Sequence, residues 1–382
     1  MSGDETTRRA WAYLSRVAEP PCPRLADFVR DWGPETAAAD IRRGAEPEDL
    51  TEYVHARRGI DSAATDLEML DRRGGRLITP ADDEWPHVAF ASFSAAEKRP
   101  QGHPPMALWA LGPARLDEIA ERSAAIVGTR ASTAYGEHIA AEFSAGLAER
   151  DVAVVSGGAF GIDGAAHRAT LAADGITAAV LASGVDTFYP AGHSALLHRI
   201  TGSGLIISEY PPGVRPARYR FLTRNRLVAG ISRATVVVEA GLRSGAANTA
   251  SWAKWLGRVV CAVPGPVTSS ASAGCHELLR HQATLVTRAA DVVEIVGRMG
   301  ELAEEPIHPV TPLDALSDAE RLVYEALPAR GLRSADQIAL ACALPVENVF
   351  GPLALLEVAG FVENRDGRWR LRSAADPGRP AG

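Results

Sequence analysis

The stretch VAVVSGGAFGIDGAAHRATLAA, residues 152–173, decides the fold of this chain. Its first four residues are small or β-branched and apolar, which is typical of a strand buried on both faces of a sheet. The glycine-rich segment SGGAFGID, residues 156–163, follows at once, and a helical pattern begins within it. The order of strand, glycine-rich loop and helix predicts one unit of an open α/β sheet.

Five further apolar runs of the same kind lie on either side of this unit. They are AAIVG (124–128), AAVLASG (178–184), LIISE (205–209), TVVVEA (235–240) and VVCAVPG (259–265). Helical segments separate the runs, near residues 135–149, 163–173, 193–200, 220–230 and 244–256. Because strands and helices alternate at short spacing, the sequence predicts an α/β fold with a Rossmann-like parallel sheet connected by right-handed crossovers.

The segment before this region has a different pattern. Residues 1–75 contain four short stretches with apolar residues three and four positions apart, WAYLSRVA, ADFVRDWG, TAAADIRRG and ATDLEMLDRRGG. Glycines stand where these helices would end. They predict a small helical domain, which would either bind nucleic acid or serve for packing and docking. Residues 76 to about 105 are proline-rich.

The C-terminal part predicts a second folded domain. Residues 301–316 are acidic and contain prolines, so we expect a linker. Residues 317–372 predict three helices and a terminal hairpin, the winged-helix pattern, with a capping box from Ser317 to Glu320 and a turn at Asp366-Gly367. Its second and third helices contain few basic residues, so we do not expect them to bind a DNA major groove. The predicted domains are 1–75, 76–300 for the α/β core, and 317–372 after the linker.

Composition excludes several classes of protein. Hydrophobic residues make up 46% of the 382 positions and charged residues 23%, as in proteins with a sizeable core. No stretch approaches 18 consecutive apolar residues, and no apolar run follows the N-terminal basic pair, so neither a membrane span nor a secretory signal is expected. The four cysteines lie far apart without zinc-ligand spacing, which favours a reducing cytoplasm.

Basic residues are concentrated in one stretch of the chain. The net charge of −7 by itself disfavours a polyanionic ligand. Between Gly213 and Arg258, however, there are nine basic residues and one acidic residue, Glu239, which gives this stretch a local charge of +8. A stretch of one sign is typical of a polyanion site, whereas a solvated charged face usually mixes both signs.

Four segments at the expected carboxyl edge of the sheet have the composition of phosphate-binding loops. Glycines let backbone N–H groups approach an anion, a helix N-terminus adds a favourable partial charge, and arginine pairs with phosphate in a bidentate manner. The candidate phosphate-binding residues are Gly128, Thr129 and Arg130; Ser156, Gly157, Gly158 and Gly161; Arg220, Arg224, Asn225 and Arg226; and Ser244, Gly245, Asn248 and Thr249.

The segment RFLTRNR, residues 220–226, indicates the kind of phosphate ligand. On a helix Arg220 and Arg224 project from one face, where like charges repel unless an anion lies between them. Phe221 is either a core residue or a base-stacking side chain. Aromatic side chains among phosphate-binding arginines are what a sequence-tolerant single-strand site requires.

Two other kinds of ligand or activity fit the sequence less well. No acidic residue ends the strand after the glycine-rich loop, where Ala182 and Ser183 stand, so a dinucleotide is disfavoured. A nucleotide-processing hydrolase of a related Rossmann-like fold remains an alternative, with Glu239 as its candidate acid. No carboxylate pair, nucleophile elbow or metal cluster stands out, so we expect no catalytic residue, metal or cofactor. We expect a structural hydrogen bond for His167 and a capping role for Asp163.

Taken together, these segments resemble the DNA processing protein A (DprA/Smf) family. The matching motifs are, in order, YLSRVAEP, elements WP, PP and LWALG, then VGTR, VSGGAFGIDGAAH, VLASGVDTFYP, ISEYPPG, RFLTRNRLVAGIS, VVVEAGLRSGAANTA and VPGPV. They cover at least residues 77–295. The flanking segments resemble the small helical (SAM/HhH-like) module and the winged-helix domain of family members.

The resemblance implies an extended Rossmann-like fold that binds single-stranded DNA, forms a homodimer and protects incoming DNA. It also implies loading of the recombinase RecA during natural transformation. The phosphate-contacting motifs of the family correspond here to Gly128-Thr129-Arg130, Ser156-Gly157-Gly158 and Arg224-Asn225-Arg226. Phe160 stands where some members have a basic residue, and Leu222-Thr223 replaces a proline-containing pair, so the number of phosphate contacts stays open.

Overall fold

The computed structural model describes residues 3–298 and 313–372. The chain forms two compact units, Met1–Glu304 and Glu305–Gly382. The predicted linker at 301–316 lies outside the described residues, except for its last four positions.

A nine-stranded sheet forms the centre of the first unit. Its strands are β1 Gly75–Ile78, β2 Leu108–Leu111, β3 Ser123–Val127, β4 Ala153–Ser156, β5 Thr177–Val180, β6 Leu205–Ser208, β7 Ala234–Val237, β8 Val259–Ala262 and β9 Thr284–Leu285. Their order across the sheet is β1-β2-β6-β5-β4-β3-β7-β8-β9. Strands β3 to β9 are parallel, whereas β1 and β2 form an antiparallel edge.

Helices cover both faces of this sheet. Five precede it, α1 Gly3–Val17, α2 Pro23–Trp32, α3 Pro34–Arg43, α4 Glu48–Val54 and α5 Ala63–Asp71. The others are α6 His87–Ala91, α7 Leu116–Glu121, α8 Ala134–Ala148, α9 Ile162–Ala172, α10 Ser194–Ser203, α11 Arg218–Ile231, α12 Gly245–Trp255, α13 Ala273–Arg280 and α14 Ala289–Val296. Short 3₁₀ turns occupy Ser92–Ala96 and Ala191–His193.

Alternate residues of each strand face opposite helical layers. In β3, Ala125 and Val127 join an apolar core with α11 and α12, whereas Ala124 and Ile126 join another with α8, α9 and α14. This burial on both faces explains why the strands are uniformly apolar. The six strands and five helices predicted from the alternation are confirmed, with boundaries shifted by a few residues. The pattern does not predict β1, β2 or β9, which lie outside the six apolar runs.

The N-terminal helices pack on the sheet as part of the same unit. Residues of α1 to α5 share an apolar core with β1, β2, β5 and β6. The buried Trp109 of β2 donates a hydrogen bond from Nε1 to Ser15 Oγ of α1 at 3.2 Å. The prediction that helices end at glycines is confirmed for α2 and α3, because Gly33 and Gly44 follow them with φ values of 80° and 73°. One helix more than the expected four is present.

The second unit has the predicted winged-helix elements. They are α15 Asp318–Glu325, β10 Arg333–Ser334, α16 Ala335–Cys342, a 3₁₀ turn at Val346–Asn348, α17 Phe350–Val358, β11 Val362–Arg365 and β12 Arg368–Leu371. Ser317 and Glu320 form the predicted capping box. Asp366 and Gly367 both have positive φ values, 53° and 75°, as the predicted hairpin turn requires.

Along residues 3–298 and 313–372, no single helix is long and apolar enough to cross a membrane. One sharply bent pair, Ala335–Cys342 with Val346–Val358, meets the criterion by length and composition only.

Candidate nucleic-acid interface

The sheet has a switch point beside β3. From β3 the chain proceeds through β4, β5 and β6 in one direction, and β7 to β9 then extend the sheet on the other side of β3. Loops diverge at such a point and leave a crevice beyond the carboxyl ends of the strands. A cavity of about 740 Å³ lies here, called the groove below. Its polar and aromatic lining residues are Thr129, Arg130, Asp163, Tyr189, Arg218, Phe221, Arg224, Asn225, Arg243, Ser244 and Thr249.

The loop after β3 forms one wall of the groove. A Cβ at Gly128 would lie 2.4 Å from Ile162 Cγ1, so only glycine fits there. The backbone N–H of Thr129 donates to the carbonyl of Glu239 at 2.7 Å, which ties this loop to the end of β7. Arg130 is exposed, and its guanidinium carbon lies 5.2 Å from the centre of the Phe221 ring. The loop therefore presents an exposed arginine from a backbone that is tied to the end of β7.

The glycine-rich loop after β4 already holds an anion of its own. The carboxylate of Asp163 accepts hydrogen bonds from the backbone N–H groups of Gly157 at 3.1 Å and Ala159 at 3.3 Å. These N–H groups are therefore occupied by the protein, although the sequence suggested that they would face a ligand. Burial raises the pKa of the Asp163 carboxyl, against the opposing effect of Arg224. Asp163 therefore fixes the loop and does not cap α9 as predicted, because α9 begins at Ile162 and its N-cap residue, Gly161, has no side-chain cap hydrogen bond.

Three predicted residues of this loop shape it without lining the groove. Ser156 is buried and donates its hydroxyl to the Ile126 carbonyl at 2.7 Å. Gly158 and Gly161 have positive φ values of 71° and 75°. A Cβ at Gly161 would lie 2.3 Å from the Thr129 carbonyl oxygen, so glycine is required where the two loops touch.

Helix α11 places Arg224 and Asn225 at the floor of the groove. Arg224 is only 4% exposed, and its guanidinium donates to the carbonyls of Gly157, at 2.7 Å, and of Val180. Burial lowers the pKa of this guanidinium to about 10, with an opposing effect from Asp163. Asn225 donates from Nδ2 to Asn248 Oδ1 at 3.1 Å, which joins α11 to α12.

Arg220 and Arg226 point away from the groove. The Arg220 Nε donates to Glu19, in the loop between α1 and α2, at 2.7 Å, so the anion beside it is a carboxylate of the protein itself. Arg226 is fully buried, and one of its nitrogens donates to both oxygens of Glu209 at 2.6 Å. The structure brings neither arginine together with Arg224, and both have internal partners that their spacing in RFLTRNR does not reveal.

The +8 stretch is dispersed in the folded chain. Arg233 donates to the carbonyl of Glu121 at the opposite edge of the sheet, and Arg258 donates to the carbonyls of Ala89 and Gly230. Arg218 and Arg243, which the sequence offered only as members of the stretch, do line the groove and are exposed. Four arginines therefore face the groove, since Arg130 and Arg224 join these two.

The N-terminus of α12 closes the groove on the β7 side. Ser244 caps this helix by accepting a hydrogen bond from the Ala247 backbone N–H at 3.2 Å. Ser244, Gly245 and Thr249 line the groove, whereas the side chain of Asn248 is engaged with Asn225. The free N–H groups of the first helical turn add a favourable partial charge for an anion.

Two aromatic side chains lie beside the arginines. The rings of Phe221 and Tyr189 are 5.5 Å apart between centroids, and Tyr189 is 44% exposed. Tyr189 belongs to the family motif VLASGVDTFYP, but no other sequence feature distinguishes it. The pair offers flat apolar surface next to arginine side chains, a combination suited to unpaired bases.

Glu239 does not reach the groove. It is buried, and its carboxylate accepts hydrogen bonds from the backbone N–H of Thr133 at 2.9 Å and from its hydroxyl at 2.6 Å. The expected structural role of His167 is confirmed, because its Nδ1 lies 2.7 Å from the Thr177 hydroxyl in a fully buried site. In the described parts of the chain, no three His, Cys, Asp or Glu side chains are grouped to hold a metal ion.

The sheet order defines an α/β protein of the extended Rossmann-like class, with the groove at its switch point. The family model described as DNA recombination-mediator protein A matches residues 76–297, and the DprA winged helix domain matches 308–368. The chain therefore belongs to the DNA processing protein A (DprA/Smf) family.

Individual relatives agree with this membership. The putative DNA processing protein DprA of Mycobacterium tuberculosis is 68% identical over 97% of this chain and 96% of its own length. Protein Smf of Escherichia coli is 36% identical over 83% of this chain and 82% of its own. The X-ray structure of DprA from Streptococcus pneumoniae aligns with a TM-score of 0.63 and 30% identity, covering 77% of this chain and 98% of that one.

Proposed function

We propose that this protein binds single-stranded DNA in the groove, without regard to base sequence. The observation that carries the proposal is the convergence of Arg130, Arg218, Arg224 and Arg243 beside the exposed ring of Tyr189 and the ring of Phe221. A single strand can turn its phosphates toward the arginines and its bases onto the aromatic rings. A duplex keeps its bases stacked inside and cannot use the rings.

The affinity of the full chain for a fluorescent oligothymidylate tests this proposal. Each phosphate neutralised contributes about −0.7 to the slope of log affinity against log salt, so four contacts give a slope of roughly −3. Arg130→Ala and Arg218→Ala should weaken binding alike for all sequences, because phosphates carry no sequence information. Arg233→Ala is the matched control, since this arginine belongs to the same basic stretch but lies at the opposite edge of the sheet. A flat salt slope or a preference for duplex would refute the proposal.

In this proposal the protein binds DNA and catalyses no reaction. The acid required by a nucleotide hydrolase would be Glu239, but both of its oxygens are engaged by Thr133. Asp163 lines the groove, yet it is held by two backbone N–H groups. Release of free base from nucleoside monophosphates incubated with the protein would contradict this part.

Family membership supports a wider role as part of this proposal. The bound strand is protected and passed to RecA during natural transformation and recombination, and the protein works as a homodimer in the cytoplasm. A reducing compartment agrees with the free state of Cys22, Cys261, Cys275 and Cys342. Sedimentation of the chain at rising concentration tests the dimer. The rate at which RecA assembles on DNA coated with single-strand-binding protein tests the loading, and acceleration by the wild type but not by Arg218→Ala is expected.

A further inference from the structure

A second arginine-lined cleft lies next to the groove. Its cavity is about 240 Å³ and lies between the end of α1, residue Arg57, and the segment 210–220. The arginines that line it are Arg16, Arg57, Arg215 and Arg220, and the acid among them is Glu19. We call this the arginine cleft.

One carboxylate holds most of this cleft together. Glu19 accepts hydrogen bonds from Arg220 Nε at 2.7 Å, from Arg57 at 2.7 Å and from the Tyr219 hydroxyl at 3.0 Å. Burial alone would raise the pKa of Glu19, but the hydrogen bonds from Arg220 and Arg57 outweigh burial and hold the pKa below its usual range. Glu19 is therefore charged at neutral pH and makes the contacts that a phosphate would make in its place.

Positive charge remains in excess after the internal pairs are formed. Arg16 pairs with Asp66 and donates to the Pro212 carbonyl, so it is neutralised within the protein. Arg57 and Arg220 share the single charge of Glu19. Arg215 is exposed at the rim of the cleft. An anion arriving from solvent thus meets more positive than negative charge.

The cleft and the groove are lined by neighbouring residues of one short segment of chain. Residues 216–218 line the groove, and 214, 215 and 220 line the cleft. Tyr219 stands between them with a side chain that is 51% exposed, and the Arg220 guanidinium carbon lies 5.4 Å from the centre of its ring. A strand leaving the groove would therefore cross an aromatic ring before it reached the cleft, as in other sequence-tolerant single-strand sites.

We propose that the arginine cleft is a second phosphate subsite, which extends the path of the DNA strand onto the N-terminal helices, and that Glu19 occupies this subsite in the free protein. The inference rests on the proposed function of the groove. Arg57 and Arg220 bind the phosphate, and the Glu19 carboxylate competes with it for both. The N-terminal helices thereby contribute directly to DNA binding and regulate its strength.

Binding of short and long oligothymidylates to the full chain tests the subsite. One probe has about 6 nucleotides and fits the groove alone, and the other has about 15 and covers both sites. Glu19→Gln should raise the affinity for the longer probe roughly three- to tenfold. It should also steepen the slope of log affinity against log salt for that probe by about 0.7. Arg57→Ala should weaken the longer probe and make its slope shallower by the same amount. Neither variant should alter binding of the shorter probe.

Asp49→Asn is the matched control, because it removes one acid paired with an arginine, Arg24, from the same helical segment without lining the cleft. It should change neither probe, which excludes a general effect of net charge. The inference is overturned if Glu19→Gln leaves the longer probe unchanged or weakens it, as a purely structural ion pair would. Urea unfolding of each variant shows whether it is folded. If Glu19→Gln does not fold, the effect of Arg57→Ala on the longer probe tests the subsite. Failure of the wild type to bind either probe would instead refute the function of the groove.

Discussion

Arg226 and Glu209 form an ion pair in the interior of the protein, and removing the arginine alone should be severe. Their side chains are 0% and 2% exposed, and the nitrogen that pairs them lies 2.6 Å from each carboxylate oxygen. Arg226→Met leaves the Glu209 carboxylate buried without its partner. Loss of one member of a buried pair costs about 3–5 kcal/mol of folding free energy, because an uncompensated charge remains.

The double variant separates the interaction between Arg226 and Glu209 from the effects of each single substitution. Two nitrogens of Arg226, Nε and one terminal nitrogen, have no hydrogen-bond partner, so the pair itself contributes little net stability. Arg226→Met with Glu209→Gln should therefore be much closer to wild type than either single variant. We expect a coupling free energy of about 3 kcal/mol from the four-member cycle.

The effect of pH gives an independent check. Burial raises the pKa of Glu209 even beside Arg226, and loss of the arginine should raise it further. Between the pKa of Glu209 in the unfolded chain and its higher pKa in the folded protein, only the folded protein keeps the proton bound. The free energy of unfolding therefore falls as pH rises through this range. The destabilisation of Arg226→Met should accordingly be smaller at pH 5 than at pH 8.

Urea unfolding followed by tryptophan fluorescence measures the cycle, because urea does not screen charges. Arg218→Ala serves as the comparison, since this exposed arginine lines the groove and should lose DNA affinity without losing stability. The reasoning is refuted if Arg226→Met unfolds at the wild-type urea concentration and weakens oligothymidylate binding as Arg218→Ala does. Arg226 would then contact phosphate, as its motif first suggested.

Three further perturbations have defined outcomes. Burial lowers the pKa of His167 to about 3 from an ordinary 6.5, so the unfolded chain alone gains this proton and stability should fall by about 2 kcal/mol between pH 6.5 and 5. His167→Gln should flatten this part of the urea-derived curve. Gly157→Ala places a Cβ 2.6 Å from the Arg224 guanidinium, so it should lower the free energy of unfolding in urea by about 1–3 kcal/mol and weaken DNA binding. Gly245→Ala is the control, because the added Cβ lies in open space and should change stability little. Ser317→Ala removes a capping box and should cost about 1 kcal/mol, seen as faster hydrogen exchange in α15; an unchanged rate would contradict this.

The sequence predicts the sheet well because its strands are buried on both faces. Short, β-branched apolar runs such as VAVVS, bounded by glycines and alternating with helical segments, are typical of buried parallel strands, so β3 to β8 follow from the pattern. The loops at their carboxyl ends follow too, since parallel strands end at one edge. The antiparallel edge of β1 and β2 does not follow, because GRLI and LWAL flank a proline-rich segment and lie outside the alternation of strands and helices.

The sequence does not predict which arginines line the groove and which pair with carboxylates inside the protein. Spacing places Arg220 and Arg224 on one face of a helix, but a helix face is defined only with respect to its own axis. Glu19 lies 201 positions before Arg220, and Glu209 lies 17 positions before Arg226. Such partners are set by packing between distant elements. Local charge in the sequence therefore overstated how much positive charge one surface would carry.

The hydrogen bonds that close the glycine-rich loop have a thermodynamic consequence for any ligand of the groove. Asp163 fixes two N–H groups of the loop, and Arg224 is anchored by two carbonyls before any ligand arrives. The conformational entropy of this floor is lost during folding rather than on binding, so it does not subtract from affinity. Only exposed side chains such as Arg130, Arg218 and Arg243 must be ordered by the strand. The groove is preorganised at its base and adaptable at its rim, which suits a ligand whose backbone is constant and whose bases vary.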